Sequence, residues 1–346
     1  MWCVPVIIRL ITAYVIAQAI IKRLTGKHSR AKRIALQFFM CALFALVYAR
    51  GQSQPILTPA TPFILLIGFA NGIAAYCQWT AMHYSMSKNA VFTVWDDVIA
   101  LSLGFIVLGE RTFLNPSISI GIILSLSAAA LFGKSEYARW KTAHKEEQAK
   151  DDVQRVTNAK SAIVFFSCLL TYSAIWGGAA FSMRYYALRE IGAGTFMTSW
   201  YSGSLMSMLL IQFLERLRRD AHATPPLTSG DVLGVGVLSV FIAASLGLEY
   251  WTLQLAPLVV IQPIFLVAEL IIPALLGLYL FKEKRYITGT EWFYFALAMY
   301  GGLQVGIGFS ALAGGAWWAT QITLGILLLG AAAANVTAMT RRQIPA

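Results

Sequence analysis

The residues of this chain best suited to chemistry are acids set deep inside apolar sequence. Asp96 and Asp97 stand six to seven residues into the apolar run 90–108, and Glu269 is similarly deep in the run 257–281. An isolated charge at such depth in hydrocarbon costs several kcal/mol, so acids placed there must face a cavity, pair with a base or carry a proton. Groups of this kind suit a proton or cation coupling site, or a counter-charge for a basic substrate. The competing reading is a structural ion pair or hydrogen-bonded acid that holds helices together. Neighbouring residues on a helix point about 100° apart, so one member of the Asp96-Asp97 pair is expected to face a pathway and the other a helix contact.

Arg9 lies about 10 Å along the first apolar run. Its candidate partners are the same carboxylates or an anionic substrate group, and the alternative is that it snorkels to the interface. Glu249, near the end of the run 231–252, is open to an interfacial or a pathway role. Among the tryptophans and tyrosines, Trp79, Trp95, Trp176, Tyr250 and Trp251 are candidates for lining a pathway. Rings of this kind also gather at headgroup level whatever the function. Trp95 adjoins the acidic pair, and a ring beside a carboxylate suits a cationic or flat organic solute. Pro263 and Pro273 flank Glu269; each removes a backbone donor, which fits either a gate or a packed kink.

Helices must position these groups. Apolar residues make up 58% of the chain and charged residues 12%, with a mean hydropathy of +0.65, which no soluble core could absorb. Windows of about 20 residues, enough to cross roughly 30 Å of hydrocarbon, mark apolar runs along the whole chain. They fall at 2–21, 33–50, 61–83, 90–108, 114–133, 161–185, 193–214, 231–252, 257–281, 290–309 and 316–338. Backbone groups in lipid must be paired, and the runs lack the alternation of a membrane barrel. The expected fold is therefore an all-α polytopic membrane protein. Met1–Ile21 lacks a basic start and carries Arg9 within its apolar run, so it reads as a retained helix rather than a cleaved signal.

Basic residues alternate between the breaks. Lys22 to Arg33, Lys88, Lys134 to Lys160, Arg216 to Arg219, Lys282 to Arg285 and the Arg341-Arg342 pair hold 22 of the 27 Lys and Arg residues. The positive-inside bias then places the N-terminus outside and the C-terminus in the cytoplasm, most simply at the cell (inner) membrane. The net charge of +11 is accounted for by loops facing an anionic leaflet, so no nucleic-acid partner is implied. Cys3, Cys41, Cys77 and Cys168 all fall inside apolar runs without CxxC spacing and read as small apolar residues.

The charged stretch 134–160, expected as a cytoplasmic loop, divides the chain, giving 1–133 as a first five-helix unit and 161–309 as a second, with 310–346 holding an extra span and a short tail. The units align internally. Trp79-Thr80-Ala81-Met82 lies over Trp251-Thr252-Leu253-Gln254, Leu108-Gly109-Glu110-Arg111 over Phe281-Lys282-Glu283-Lys284, and the acidic pair over Glu269. Five spans per unit make the second copy enter with opposite polarity, as in inverted-repeat transporters.

These two segments, with the Ile175-Trp176-Gly177-Gly178 opening of the sixth span, resemble the drug/metabolite transporter superfamily, in particular its ten-helix members with two EamA-type repeats. The resemblance extends to about residue 309. It implies two inverted five-helix repeats and a small-molecule substrate exported by alternating access. The chain departs from the family pattern in three respects. Asp96-Asp97 stands where a proline is usual, an eleventh span follows the repeats, and the charge bias reverses the usual orientation. The expected function is secondary transport of a small metabolite or organic cation, with a proton as the candidate coupling ion and the lipid bilayer as surroundings. The alternatives are a non-transporting membrane scaffold or receptor, or an intramembrane transferase. Against an enzyme, the four histidines are dispersed, and no HExxH, GxSxG or P-loop pattern occurs. No metal or cofactor motif occurs either.

Overall fold

The computed structural model describes residues 3–25, 30–84, 86, 89, 94–110, 116–147, 152–218, 226–281 and 289–310. Every regular element among them is helical. The first helix starts as α1 (Cys3–Arg9), widens into a π-helical segment (Leu10–Ala17) and closes as α2 (Gln18–Thr25). There follow α3 (Arg30–Gly51), α4 (Thr61–Tyr84), α5 (Val94–Val107), α6 (Pro116–Glu147) and α7 (Asp152–Leu188). The chain continues through α8 (Ala193–Arg218), α9 (Ser229–Leu255), α10 (Leu258–Leu275) and α11 (Gly289–Ser310).

Among the described residues five helices, Val4–Thr25, Arg30–Gly51, Thr61–Tyr84, Val164–Leu188 and Ser229–Leu255, are long and apolar enough to cross a bilayer. Side chains such as Val47, Leu66 and Ile106 point away from the protein, and hydrocarbon is the solvent that suits them. The expected span at 316–338 lies outside the described residues.

Two expectations meet a different local structure. The charged stretch 134–160 is helical through Glu147 and again from Asp152, so much of it extends α6 and α7 rather than forming a loop. Loss of hydropathy marks where a chain leaves the membrane, whereas Ala, Lys, Glu and Arg are good helix formers in water. Likewise α10 passes both Pro263 and Pro273 without a break, and the change of winding comes just afterwards, in a π-helical segment at Leu276–Leu280. Proline removes one rung of the hydrogen-bond ladder, and neighbouring helices hold the rest in place.

Helices from the two halves of the sequence interleave: α4 packs on α7 and α8, α3 on α8 and α9, and α5 on α7 and α10. Glycines set the closest approaches. A Cβ at Gly68 would collide with the carbonyl oxygen of Trp200, and one at Gly203 with that of Leu65, so α4 and α8 meet backbone to backbone. Gly177 plays the same part between α7 and α5, where a Cβ would stand 2.6 Å from the carbonyl oxygen of Asp96. Nothing lies within 4 Å of the corresponding point at Gly178. Gly177→Ala is therefore expected to destabilise the fold by about 1–3 kcal/mol through forced separation of α5 and α7. Gly178→Ala should be neutral or slightly stabilising, since alanine is the better helix former. Thermal unfolding of the two variants in detergent checks this pair; equal melting temperatures would refute the close contact.

Two buried ion pairs tie helix ends together. Arg33 on α3 meets Asp231 on the first turn of α9 at 3.3 Å and donates to the carbonyl of Leu24. Asp231 also closes a capping box with Thr228, which fixes where α9 begins. Arg184 near the end of α7 meets Glu110 at 3.0 Å and donates to the carbonyl of Leu253, while Glu110 accepts from the backbone N–H of Val259 at the start of α10.

Candidate functional site

A cavity of about 110 Å³ lies among the first helix, α3, α4, α5 and α7 to α10. The π-helical segment widens the first helix where Ala13 and Tyr14 reach its wall. Such widenings recur at functional sites because they re-aim side chains without ending the helix.

A chain of polar contacts runs along one side. Arg9 pairs with Glu249 at 2.7 Å, lies 3.6 Å over the ring centroid of Phe265 and donates to the Tyr14 hydroxyl at 2.9 Å. Tyr14 donates its own hydroxyl hydrogen bond to Glu269 Oε2 at 3.3 Å. The other oxygen of Glu269 accepts from Tyr172 at 3.2 Å, and Tyr172 in turn accepts from Gln78. A hydroxyl can donate once and accept from another group, so each tyrosine links two neighbours.

Asp96 and Asp97 join Glu269 here: one carboxylate oxygen from each of the three lies within 4.8 Å of the others. The pair divides its labour. Asp96 lines the cavity, with Oδ1 accepting from the Asp97 backbone N–H at 2.7 Å. Asp97 turns toward α10 and accepts from Gln262 Nε2 at 2.6 Å. Gly177 lets α5 close on α7 at the level of Asp96, which brings Tyr172 and Trp176 beside the acids. Among the described residues no ion pair reaches Asp96, Asp97 or Glu269, whereas Arg9 is matched by Glu249. The site is thus acceptor-rich and acidic.

Trp79 and Trp176 line the cavity, as do Trp200 and Tyr172. Trp95 and Trp251 do not: they are 52% and 50% exposed on the outer surface. Trp95 is next to Asp96 in sequence, but the turn of the helix that brings the acid inward sends the ring outward. Tyr250 is fully buried away from the cavity wall, stacked on Phe196 at 4.7 Å and donating to the carbonyl of Ile191. Pro263 and Pro273 lie within α10, and Pro273 is not among the described residues that line the cavity. Pro273 does, however, supply no N–H for the backbone carbonyl of Glu269, four residues earlier.

Sequence reasoning missed the uncharged polar residues of the wall: Gln18, Gln37, Asn71, Gln78 and Gln262. Each stands between apolar or small neighbours, and hydropathy averaged over a span hides it.

No family model matches the chain, and no curated protein matches it. Six solved chains do. One of them, a protein known from its crystal structure, is 12% identical with a TM-score of 0.57, over 90% of this chain and 96% of the other. That is a likeness of overall fold along nearly the whole length of both.

Proposed function

We propose that the chain is a secondary active transporter that moves a small metabolite or organic cation by alternating access, with protons coupled through Asp96, Asp97 and Glu269. The observation that carries this reading is the cavity and its acids: Asp96 and Glu269 on the wall with Asp97 close behind, none with an ionic partner among the described residues, flanked by aromatic rings inside a bundle of membrane-length helices. A scaffold gains nothing from acids held in that arrangement, whereas a carrier needs groups that bind a cation and release it.

Two further features support an arrangement of ten spanning helices in two inverted repeats, as in the drug/metabolite transporter superfamily. Lys22, near the end of the first helix, donates to the carbonyl of Met82, while Arg184, at the matching point of α7, donates to the carbonyl of Leu253. These contacts join equivalent elements of the two aligned segments, one at each end of the bundle. The charge bias supports an outside N-terminus and a cytoplasmic C-terminus at the cell membrane. Export is the proposed direction.

The test is proteoliposome flux with an imposed pH gradient and an enclosed pH dye. Metabolite-dependent proton movement is expected for the wild type and should fall about tenfold or more in Asp96→Asn, Asp97→Asn and Glu269→Gln, each of which removes more than 1.4 kcal/mol of cation binding. Proton movement that is unchanged in all three variants would sink the coupling.

A further inference from the structure

Beside the acids stands a set of acceptors that the protein leaves unused. Gln262 is 6% exposed and lines the cavity; its Nε2 is spent on Asp97, and its Oε1 has no partner among the described residues. With Asp97 ionised, its oxygen at 2.6 Å takes the N–H side of this amide, which leaves the carbonyl oxygen free. Asp97 Oδ2 is likewise buried and unpartnered, as are Gln18 Oε1 and Gln37 Oε1 farther along the cavity wall. A buried acceptor left unsatisfied costs stability, so a row of them beside acids marks where a donor-rich ligand belongs.

Resting on the reading of the cavity as a substrate site, we propose that Asp96, Glu269 and Gln262 together receive the primary ammonium group of a small organic cation. Three N–H bonds meet three acceptors: the two cavity-lining carboxylates and the Gln262 carbonyl. Charge-assisted hydrogen bonds of about 2.8 Å around a tetrahedral nitrogen place acceptors about 4.6 Å apart, and one oxygen each of Asp96 and Glu269 lie within 4.8 Å of one another. Asp97 is the positioning residue, since its bond to Gln262 Nε2 turns the carbonyl oxygen toward the ligand. Trp79, Trp176 and Tyr172 flank the subsite and pack the organic remainder. A quaternary ammonium offers no N–H and would leave every one of these acceptors stranded. Magnesium needs six oxygens at about 2.1 Å and calcium six to eight at about 2.4 Å, more than the three acceptors of the subsite supply.

The experiment is calorimetric titration of the full-length protein in lipid nanodiscs with benzylammonium, benzyltrimethylammonium and calcium chloride at constant ionic strength. Benzylammonium is expected to bind about tenfold or more tightly than its trimethyl counterpart, the loss expected from unmade charged hydrogen bonds. Asp96→Asn should abolish that preference, Gln262→Leu should weaken benzylammonium alone, and Trp95→Phe, outside the cavity, should change neither. The comparison of ligands on the wild type stands even if a variant fails to fold. Equal or tighter binding of the trimethyl compound, displacement of benzylammonium by calcium at similar concentration, or a flat titration with both amines would overturn the subsite. A flat titration alongside working proton-coupled flux leaves the transport reading intact, whereas binding without any flux removes transport and keeps the subsite.

Discussion

Glu249→Leu is expected to destabilise the folded protein by about 3–5 kcal/mol, the loss found when one partner of a buried ion pair is removed and the other stays behind. Arg9 is 6% exposed, its Nε already has no partner, and Glu249 at 2.7 Å is the only carboxylate paired with it among the described residues. Without that carboxylate the guanidinium keeps the Tyr14 hydroxyl and the Phe265 ring, neither of which neutralises a full charge. Arg9→Met combined with Glu249→Leu should recover most of the loss, because both charges then leave the interior together and two apolar side chains fill the space. Chemical unfolding of wild type, both single variants and the double variant closes the cycle. A double variant no better than the sum of the singles would mean that the pair is not coupled. The effect should reach the acids as well. Arg9 fixes the Tyr14 hydroxyl, and Tyr14 donates to Glu269, so Glu249 acts on the acidic cluster through two intermediaries.

Much of this arrangement is legible in the sequence, and the remainder fails for identifiable reasons. Apolar runs of membrane length and the depth of Asp96, Asp97 and Glu269 follow from residue type and spacing, since hydropathy and the cost of buried charge are local properties. Which face of a helix turns inward is not local. Trp95 and Asp96 are neighbours, yet α5 sends one to the lipid side and the other to the cavity because Gly177 on another helix decides where α7 docks. Glu249 is suited by its sequence position to an interface, and only the approach of the first helix to α9 gives it Arg9. The prolines of α10 were legible as lost donors but not as an uninterrupted helix, since the neighbouring α5 and α11 supply the support. The glutamines that complete the wall carry no signal of their own in a hydropathy profile.

The two buried ion pairs at the helix ends should work as opposed latches, and neutralising them should expose the cavity from opposite sides of the membrane. Both engage α9: Asp231 lies on its first turn, and Leu253, whose carbonyl accepts from Arg184, lies near its last. Twenty-two residues of helix separate them, about 33 Å at 1.5 Å per residue, close to the thickness of the hydrocarbon layer. Cavity residues Ile242, Ser245, Leu246 and Glu249 fall between them on the same helix. Glu110→Gln removes the charge that holds Arg184 and weakens the cap on α10 at Val259, so it should loosen the end where α7, α9 and α10 meet. Asp231→Asn removes the partner of Arg33 and half of the Thr228 capping box, so it should loosen the end where the first helix, α3 and α9 meet. With Ala75→Cys as a reporter in the cavity wall and the native cysteines replaced, a membrane-impermeant thiol reagent applied to one side at a time reads the outcome. Each latch variant should label about tenfold or more faster than its parent, the shift expected when more than 1.4 kcal/mol is removed from one closed state. The faster side should be opposite for the two variants. Acceleration from the same side in both, or from neither, would show that these pairs brace the bundle without gating it. Opposite sides would establish that one helix carries both locks, so that opening either end needs only a tilt of α9 against α3 or α7.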